Sequence, residues 1–341
     1  MLENWSTVYD LEKIINDIFV LHKNNENKKF PTNILISGKS GIGKTQILDQ
    51  ICKKNNLKLK VVQAYQYGEF ITGLPLVNSD ITKFTKAEGV QEVLDENPDV
   101  IMFDDAHLIR SEYLNHFYET LTFRIFQSTQ LNKNTIFVLI GNWGIDAAFF
   151  NDIPLPIMSR MNYIFKFEPD LNKWIEWGLN NNIDKRIINY LSYFKDEFII
   201  NSDVNEIVIS PRNWEYFSEA LKNGLQLDYF DTCLGVKIGN KFKDFLLVLD
   251  KSLDELLTLA KDKNLKESEK IAIIVALGNY DNAYKNKSIT DYISSLNDDR
   301  IVLWITIISQ KYKMEDNYKE ILEFKKYIQK QFPSIYEVYN K

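Results

Sequence analysis

The chain has 341 residues, 45% of them hydrophobic and 26% charged, enough to bury a substantial core in one large domain or two smaller ones. Aromatic residues make up 13% while Gly and Pro are scarce, which argues against a disordered chain and against a turn-rich all-β fold. A net charge of −6 and a pI of about 5.4 mean that no global field draws the protein onto nucleic acid, although a local basic patch stays open.

Cys52 and Cys233 are the only cysteines, a pattern of neither a disulfide framework nor a zinc site, and one that suits a reduced cytosol. The opening MLENWSTVYDLEKI is acidic and polar where a signal peptide would be basic and then apolar. No apolar run approaches the roughly 20 residues that span a bilayer. The expectation is a soluble, cytoplasmic protein without membrane contact. Only six arginines occur, Arg110, Arg124, Arg160, Arg186, Arg212 and Arg300. Lysine supplies the rest of the positive charge, so some of the six are candidates for sites that need a planar, bidentate guanidinium.

In chain order, residues 8–22 carry apolar positions at helical spacing, and the polar run KNNENKKFPTN ends that helix. Asn33–Ser37 reads as a short buried strand, Gly38–Gly43 as a loop, and Lys44–Lys54 as a helix. Leu57–Gln63 alternates like a strand. Tyr65–Phe84 has turn signals without a period and reads as a loop or small insertion, and Ala87–Asp95 reads as helical. Val100–Phe103 is a buried strand ending in Asp104-Asp105. Glu112–Gln127 reads as one helix, Thr135–Ile140 as a buried strand, Ile153–Met161 as a short helix and Tyr163–Phe167 as a strand. Strands alternating with helices to about residue 168 imply a parallel sheet covered on both faces. After Pro169 nearly every segment has helical period, from KWIEWGLNN and KRIINYLSYF through FKDFLLVLDKSLDELLTLA to YKEILEFKKYIQKQF. Pro169 therefore marks an expected boundary.

Gly38-Lys39-Ser40-Gly41-Ile42-Gly43-Lys44-Thr45 fits G-x-x-x-x-G-K-[ST] between a predicted strand and a predicted helix, the context that this phosphate-binding loop requires. Glycines let successive N–H groups point at phosphate oxygens, and the helix N-terminus, with Gln46 in its first turn, adds partial positive charge. Lys44 would reach the β- and γ-phosphates of ATP and the Thr45 hydroxyl would ligate Mg²⁺. The bland alternative is a glycine-rich turn before a helix. Such a loop needs a carboxylate on a neighbouring strand. Asp104 is the candidate on the Mg²⁺ side, and Asp105 would polarise the attacking water. His107 in the following turn reads as structural.

Three further features follow in order: Asn142 after the strand Thr135–Ile140, Arg160 in IPLPIMSRM, and Arg212 in Ile209-Ser210-Pro211-Arg212 at the start of a helix. Together with the two motifs above they resemble the AAA+ ATPases, and the wording is most similar to the MoxR-like, dynein-related branch in its short bacterial and phage versions. GEFITGLP at 68–75, YETLTFRIF at 118–126, GNWGIDAAFFNDIPLPIMSRM at 141–161, FEPDLNKWIEWG at 167–178, SPRNWEYFSEAL at 210–221 and CLGVKIGNKFKDFL at 233–246 carry that likeness, with NKSITDYISSLNDD at 286–299 resembling the tail.

The resemblance implies an AAA+ α/β core over 1–168 with a parallel five-stranded sheet, an all-α lid over 169–230 and a helical extension over 231–341. It implies that Gly38, Gly43, Lys44 and Thr45 bind phosphates and metal, that Asp104 orders Mg²⁺, and that Asn142 acts as sensor 1. Arg212 would sense the γ-phosphate from the same subunit's lid. Arg160 would enter a neighbour's site as an arginine finger, stabilising transition-state charge only in an assembled ring, most often a hexamer. Arg124 would be either a second interface arginine or an ordinary surface one. Where the family has Asp-Glu, this chain has Asp104-Asp105, and a carboxylate displaced by about 1 Å can cost on the order of 100-fold in rate. Three functions remain open. One is a ring that remodels or matures a partner protein, such as one with a von Willebrand factor A domain, with Tyr65, Tyr67 and Phe70 as contact candidates. The second is a clamp-loader- or helicase-loader-like ATPase on DNA, and the third a nucleotide-gated assembly module with slow hydrolysis. Nothing in the chain chooses ATP over GTP.

Overall fold

The computed structural model describes residues 6–24, 30–63, 75–78, 81–85, 95–126, 129–143, 153–200, 207–314 and 317–339. The helix expected at Ala87–Asp95 and the contact candidates Tyr65, Tyr67 and Phe70 lie outside them, apart from Asp95 itself. The chain divides into two compact units, Met1–Asp170 and Leu171–Lys341.

Among its described residues the first unit carries ten strands: β1 (Ser6–Val8), β2 (Asn33–Ser37), β3 (Leu59–Gln63), β4 (Pro75–Asn78), β5 (Ile81–Phe84), β6 (Val100–Asp104), β7 (Ile125–Phe126), β8 (Thr129–Gln130), β9 (Ile136–Gly141) and β10 (Tyr163–Phe167). Six of them form one parallel sheet in the order β1-β10-β2-β9-β6-β3. Every residue of β2 and β9 is buried, as expected of central parallel strands covered on both faces. Their side chains alternate. Ile34, Ile36, Val138 and Ile140 pack under α1 (Leu11–Asn24) and α2 (Lys44–Lys54), while Leu35, Phe137 and Leu139 meet Phe103, Phe117, Leu121 and Ile157 on the other face.

The sheet has six strands where five were expected. The Asp10 side chain accepts the Lys13 N–H at 3.0 Å and so caps α1, which begins at Leu11 rather than residue 8. Ser6–Val8 is thereby left extended and adds to the edge of β10. The expected helix over Glu112–Gln127 is also broken. It comprises α3 (Ser111–Leu114), a 3₁₀ turn and α4 (Tyr118–Phe123), and it ends where Arg124 turns left-handed at φ 60° and leads into the β7–β8 hairpin. Pro75–Phe84, read as a loop or insertion, holds the β4–β5 hairpin. The short helix before β10 is confined to α5 (Leu155–Met158).

The second unit is helical among its described residues. Its helices are α6 (Leu171–Asn180), α7 (Lys185–Tyr193), α8 (Pro211–Lys222), α9 (Phe230–Leu249), α10 (Leu253–Leu259), α11 (Glu267–Asn279), α12 (Lys287–Ser294), α13 (Asp298–Met314), α14 (Tyr318–Gln331) and α15 (Pro333–Tyr339). One core runs through them, centred on Tyr190, Trp214, Phe217, Phe242 and Phe245 and continued by Ile271, Trp304 and Phe324. The long apolar pattern after residue 240 splits at Ser252, whose capping box with Glu255 starts α10. No helix among the described residues is long and apolar enough to cross a membrane.

Candidate functional site

β2 runs straight into the glycine-rich loop at the C-terminal edge of the sheet. The Gly38 N–H donates to the Gly141 carbonyl at 3.1 Å, the last main-chain link between β2 and β9. A Cβ at Gly38 would stand 2.8 Å from the Phe167 carbonyl oxygen, so this approach requires glycine. Gly41 and Gly43 take φ of 76° and 88°, where other residues are strained. No side chain caps α2, and its first main-chain bond is Ile47 N–H to Gly43 O at 2.9 Å. The amides of Lys44, Thr45 and Gln46 thus lie in the first turn, where they project from the helix end without intrahelical partners. This is a cradle for phosphate oxygens. Ile42 packs into the core, so its main chain alone lines the loop, while the Ser40 and Gln46 side chains are exposed. The Lys44 ammonium donates to the Gly38 and Lys39 carbonyls at 2.7 and 2.6 Å, which holds its charge over the loop.

Thr45 and Asp104, 59 positions apart, meet beside it. The Thr45 hydroxyl donates to Asp104 Oδ2 at 2.8 Å, and the Asp105 N–H donates to Asp104 Oδ1 at 3.0 Å. A hydroxyl and a carboxylate side by side next to a phosphate cradle fit Mg²⁺, which takes few protein oxygens and completes its shell with phosphate and water. Asp105 has φ 52° and ψ 34° and opens a 3₁₀ turn, Ala106–Leu108. Aspartate tolerates this left-handed conformation better than most residues.

Asn142 follows β9 and is half-buried. The residues on both sides of it are tied to the end of β2. Gly141 accepts from Gly38, while Ser37 Oγ donates to Trp143 O at 2.7 Å and accepts from Trp143 N–H at 3.2 Å.

Arg160 stands at the other edge of the sheet. Its Nε donates to Thr122 Oγ1 at 2.9 Å and its Nη1 to Pro156 O at 2.7 Å, while the guanidinium lies 4.8 Å from the centre of the Tyr118 ring. Its carbonyl accepts from Asn33 Nδ2 at 2.8 Å, at the first residue of β2. Five residue steps, about 16 Å at strand rise, separate that point from Gly38, the start of the phosphate loop. Arg160 therefore cannot serve the loop of its own chain.

Arg124 is neither an interface arginine nor a surface one. It is 1% exposed, and its guanidinium donates to the carbonyls of Thr32, Thr120 and Thr135 at 2.7, 2.8 and 2.8 Å. It closes the end of α4 and ties it to the segments that enter β2 and β9. Burial pulls its pKa down to about 10. In the helical unit, Arg212 is exposed in the first turn of α8, whose capping box joins Ser210 and Asn213.

Residues 34–169 match the model of the ATPase family associated with various cellular activities, abbreviated AAA. This stretch is an AAA ATPase domain. It contains the loop, both aspartates, Asn142 and Arg160. No curated protein sequence matches the chain. Among solved structures the chain is similar in fold to the replication initiator DnaA bound to AMPPCP and single-stranded DNA, at 16% identity and TM-score 0.38 over 91% of this chain and 93% of that one. It is likewise similar to AMPPCP-bound DnaA from Aquifex aeolicus, at 14% identity and TM-score 0.38 over 96% and 92%. The S. cerevisiae Hsp104–ADP complex has 14% identity and TM-score 0.45, covering 64% of this chain and 45% of that one. At these values the likenesses do not bear on activity.

Sequence reasoning missed Ser37, Trp143, Asn33 and Thr122 in the AAA domain. Each acts through a partner at least 38 positions away, so no local pattern marks it. The one legible hint is that Asn33 and Ser37 are polar residues bounding an apolar run.

Proposed function

We propose that the chain is a MoxR-like AAA+ ring subunit that binds ATP with Mg²⁺ between subunits and uses hydrolysis to remodel or mature a partner protein. The observation that carries this reading is the separation along β2 of a complete phosphate cradle from a guanidinium held firmly at the opposite edge. A pocket with Lys44, Thr45, Asp104 and Asn142 on one subunit is completed when Arg160 arrives from its neighbour. ATP and Mg²⁺ supply the triphosphate and the charge that polarises it. Lys44 and the loop amides hold the phosphates, Thr45 and Asp104 orient the cation, and Asn142 faces the reacting end. The motif wording around residues 118–126 and 141–161 supports the MoxR-like branch.

Arg212 in the lid, residues 169–230, is the arginine for the γ-phosphate in the same reading, and 231–341 is the helical extension. Arg212 makes no hydrogen bond or ion pair among the described residues. A cation in a first helical turn opposes the helix dipole, so stability does not account for its place.

Mixing subunits tests the shared pocket. Lys44→Ala and Arg160→Ala are each expected to be inactive alone, and mixed rings to regain ATPase activity, because an intact loop then meets an intact finger. Folded mixed oligomers that stay inactive refute the trans role. Capture of a host protein by an Asp105→Asn variant with ATP, and not without it, identifies the partner.

One observation favours slow, gating hydrolysis. Asp105 is one methylene shorter than glutamate, and its left-handed backbone turns it out of the line of β6. Asp105→Glu is expected to raise single-turnover hydrolysis by about 10-fold or more if reach limits the rate. An unchanged or lower rate removes this reading.

A further inference from the structure

We propose that Ser37 is a positioning residue: its hydroxyl clasps both main-chain groups of Trp143 and thereby sets where Asn142 stands relative to the phosphate loop. The inference deepens the reading of Asn142 as the residue facing the reacting phosphate and rests on it.

The register shows why such a clasp is needed. Ser37 is paired with Gly141 at the end of the β2–β9 ladder, so a continued ladder would set Lys39 against Trp143. The chain cannot continue it, because after Gly38 it curls away to form the phosphate cradle. Trp143 is 4% exposed, and leaving its N–H and C=O unpaired there would cost free energy. Ser37, itself 1% exposed, takes the place of the missing strand. Its Oγ accepts from Trp143 N–H at 3.2 Å and donates to Trp143 O at 2.7 Å. Among uncharged side chains of this size only a hydroxyl both donates and accepts strongly. Gly141 completes the bracket: its carbonyl is held by the Gly38 N–H, and a Cβ on it would meet the Trp143 ring at 2.7 Å. Residues 141 and 143 are thus pinned to residues 38 and 37. The main chain of Asn142 cannot shift without breaking one of these links, while its side chain makes no hydrogen bond among the described residues.

The test compares Ser37→Ala, Ser37→Thr, Asn142→Ala and the double variant Ser37→Ala/Asn142→Ala in the full chain, reading ATP affinity and single-turnover rate separately. Ser37→Ala is expected to leave affinity within about 3-fold and to lower the rate by about 10-fold, Asn142→Ala to lower it at least as much, and the double variant to be no slower than Asn142→Ala. Ser37→Thr keeps the hydroxyl and is expected to restore most of the rate. The inference is overturned if the Ser37→Ala loss falls on affinity alone, if it persists in full in the Asn142→Ala background, or if Ser37→Ala turns over normally. A normal rate in Asn142→Ala removes the reading of Asn142 itself, and the inference with it. A lowered rate there with additive loss in the double variant removes the inference alone. Should Ser37→Ala not fold, Ser37→Cys, with a weak donor of similar volume, is read the same way.

Discussion

The two ends of β2 use polar residues in opposite ways. At the start, polar side chains close upon the chain itself. The Arg124 guanidinium is held by three carbonyls, and Asn33 Nδ2 by those of Leu121 and Arg160. At the finish, the links made by Ser37 and Gly38 run to main-chain groups of Trp143 and Gly141, while the Thr45, Asp104 and Asn142 side chains keep capacity for further partners. A buried guanidinium that only supports the fold gains by having every nitrogen paired, as Arg124 has, whereas a group that handles a ligand must be fixed by its surroundings and keep functional atoms unspoken for. Arg124 and Arg160 show the contrast within one residue type. The first has every nitrogen engaged out of water, and the second is half-buried, braced through Nε and Nη1 on Thr122 and Pro156.

The sharpest way to break the comparison is to remove these two arginines separately. Arg160→Ala is expected to lower turnover by about 1,000-fold, the low end for a transition-state arginine, with the melting temperature little changed. Arg124→Met is expected to cost about 3 kcal/mol in stability by denaturant titration, because several buried carbonyls lose their donor, while turnover per folded molecule is kept. If Arg124→Met instead stops turnover in a stable protein, the division between the two ends is wrong. At the phosphate end, Lys44→Ala is expected to weaken ATP binding by about 100-fold, measured with a fluorescent nucleotide, since it removes a charge aimed at the phosphates. Asn33→Ala joins the two ends. It frees the Arg160 carbonyl and is expected to slow turnover by about 10-fold while ATP affinity holds, because it loosens the finger and leaves the loop intact. The smallest effect belongs to Arg212→Gln. Relieving the dipole conflict is expected to stabilise the helical unit by about 0.3 kcal/mol even as turnover falls, and a loss of stability would show that Arg212 serves the fold.

Much of the fold was legible because its signals are local. Ile34, Leu35 and Ile36 within Asn33–Ser37, and the whole of Val100–Phe103, are unbroken apolar runs, and the loop Gly38–Thr45 is contiguous, with glycines where the backbone turns left-handed. The boundaries were harder. Glu112–Gln127 contains neither Gly nor Pro to mark a stop, yet α4 ends at Arg124, whose guanidinium is held by carbonyls at Thr32 and Thr135. Those contacts are invisible from propensity, since arginine favours helices when nothing else claims it. β1 escaped notice for a related reason. Three residues have no period, and only the Asp10 cap and the open edge of β10 make Ser6–Val8 a strand.

By itself the sequence determined the chemistry on offer: a glycine-rich phosphate loop with Lys44 and Thr45, acids at a strand end, and a parallel α/β core followed by helices. Those follow from short-range sterics and from hydrophobic periodicity, which every few residues carry within themselves. Tertiary structure alone decided which polar residues gather beside the glycine-rich loop and which are tied to distant parts of the chain. Thr45 meets Asp104 across 59 positions, Ser37 meets Trp143 across 106, and Arg124 meets Thr32 across 92. Such partners are set by strand order, and strand order comes from burying both faces of one sheet at once, a condition that no single segment contains.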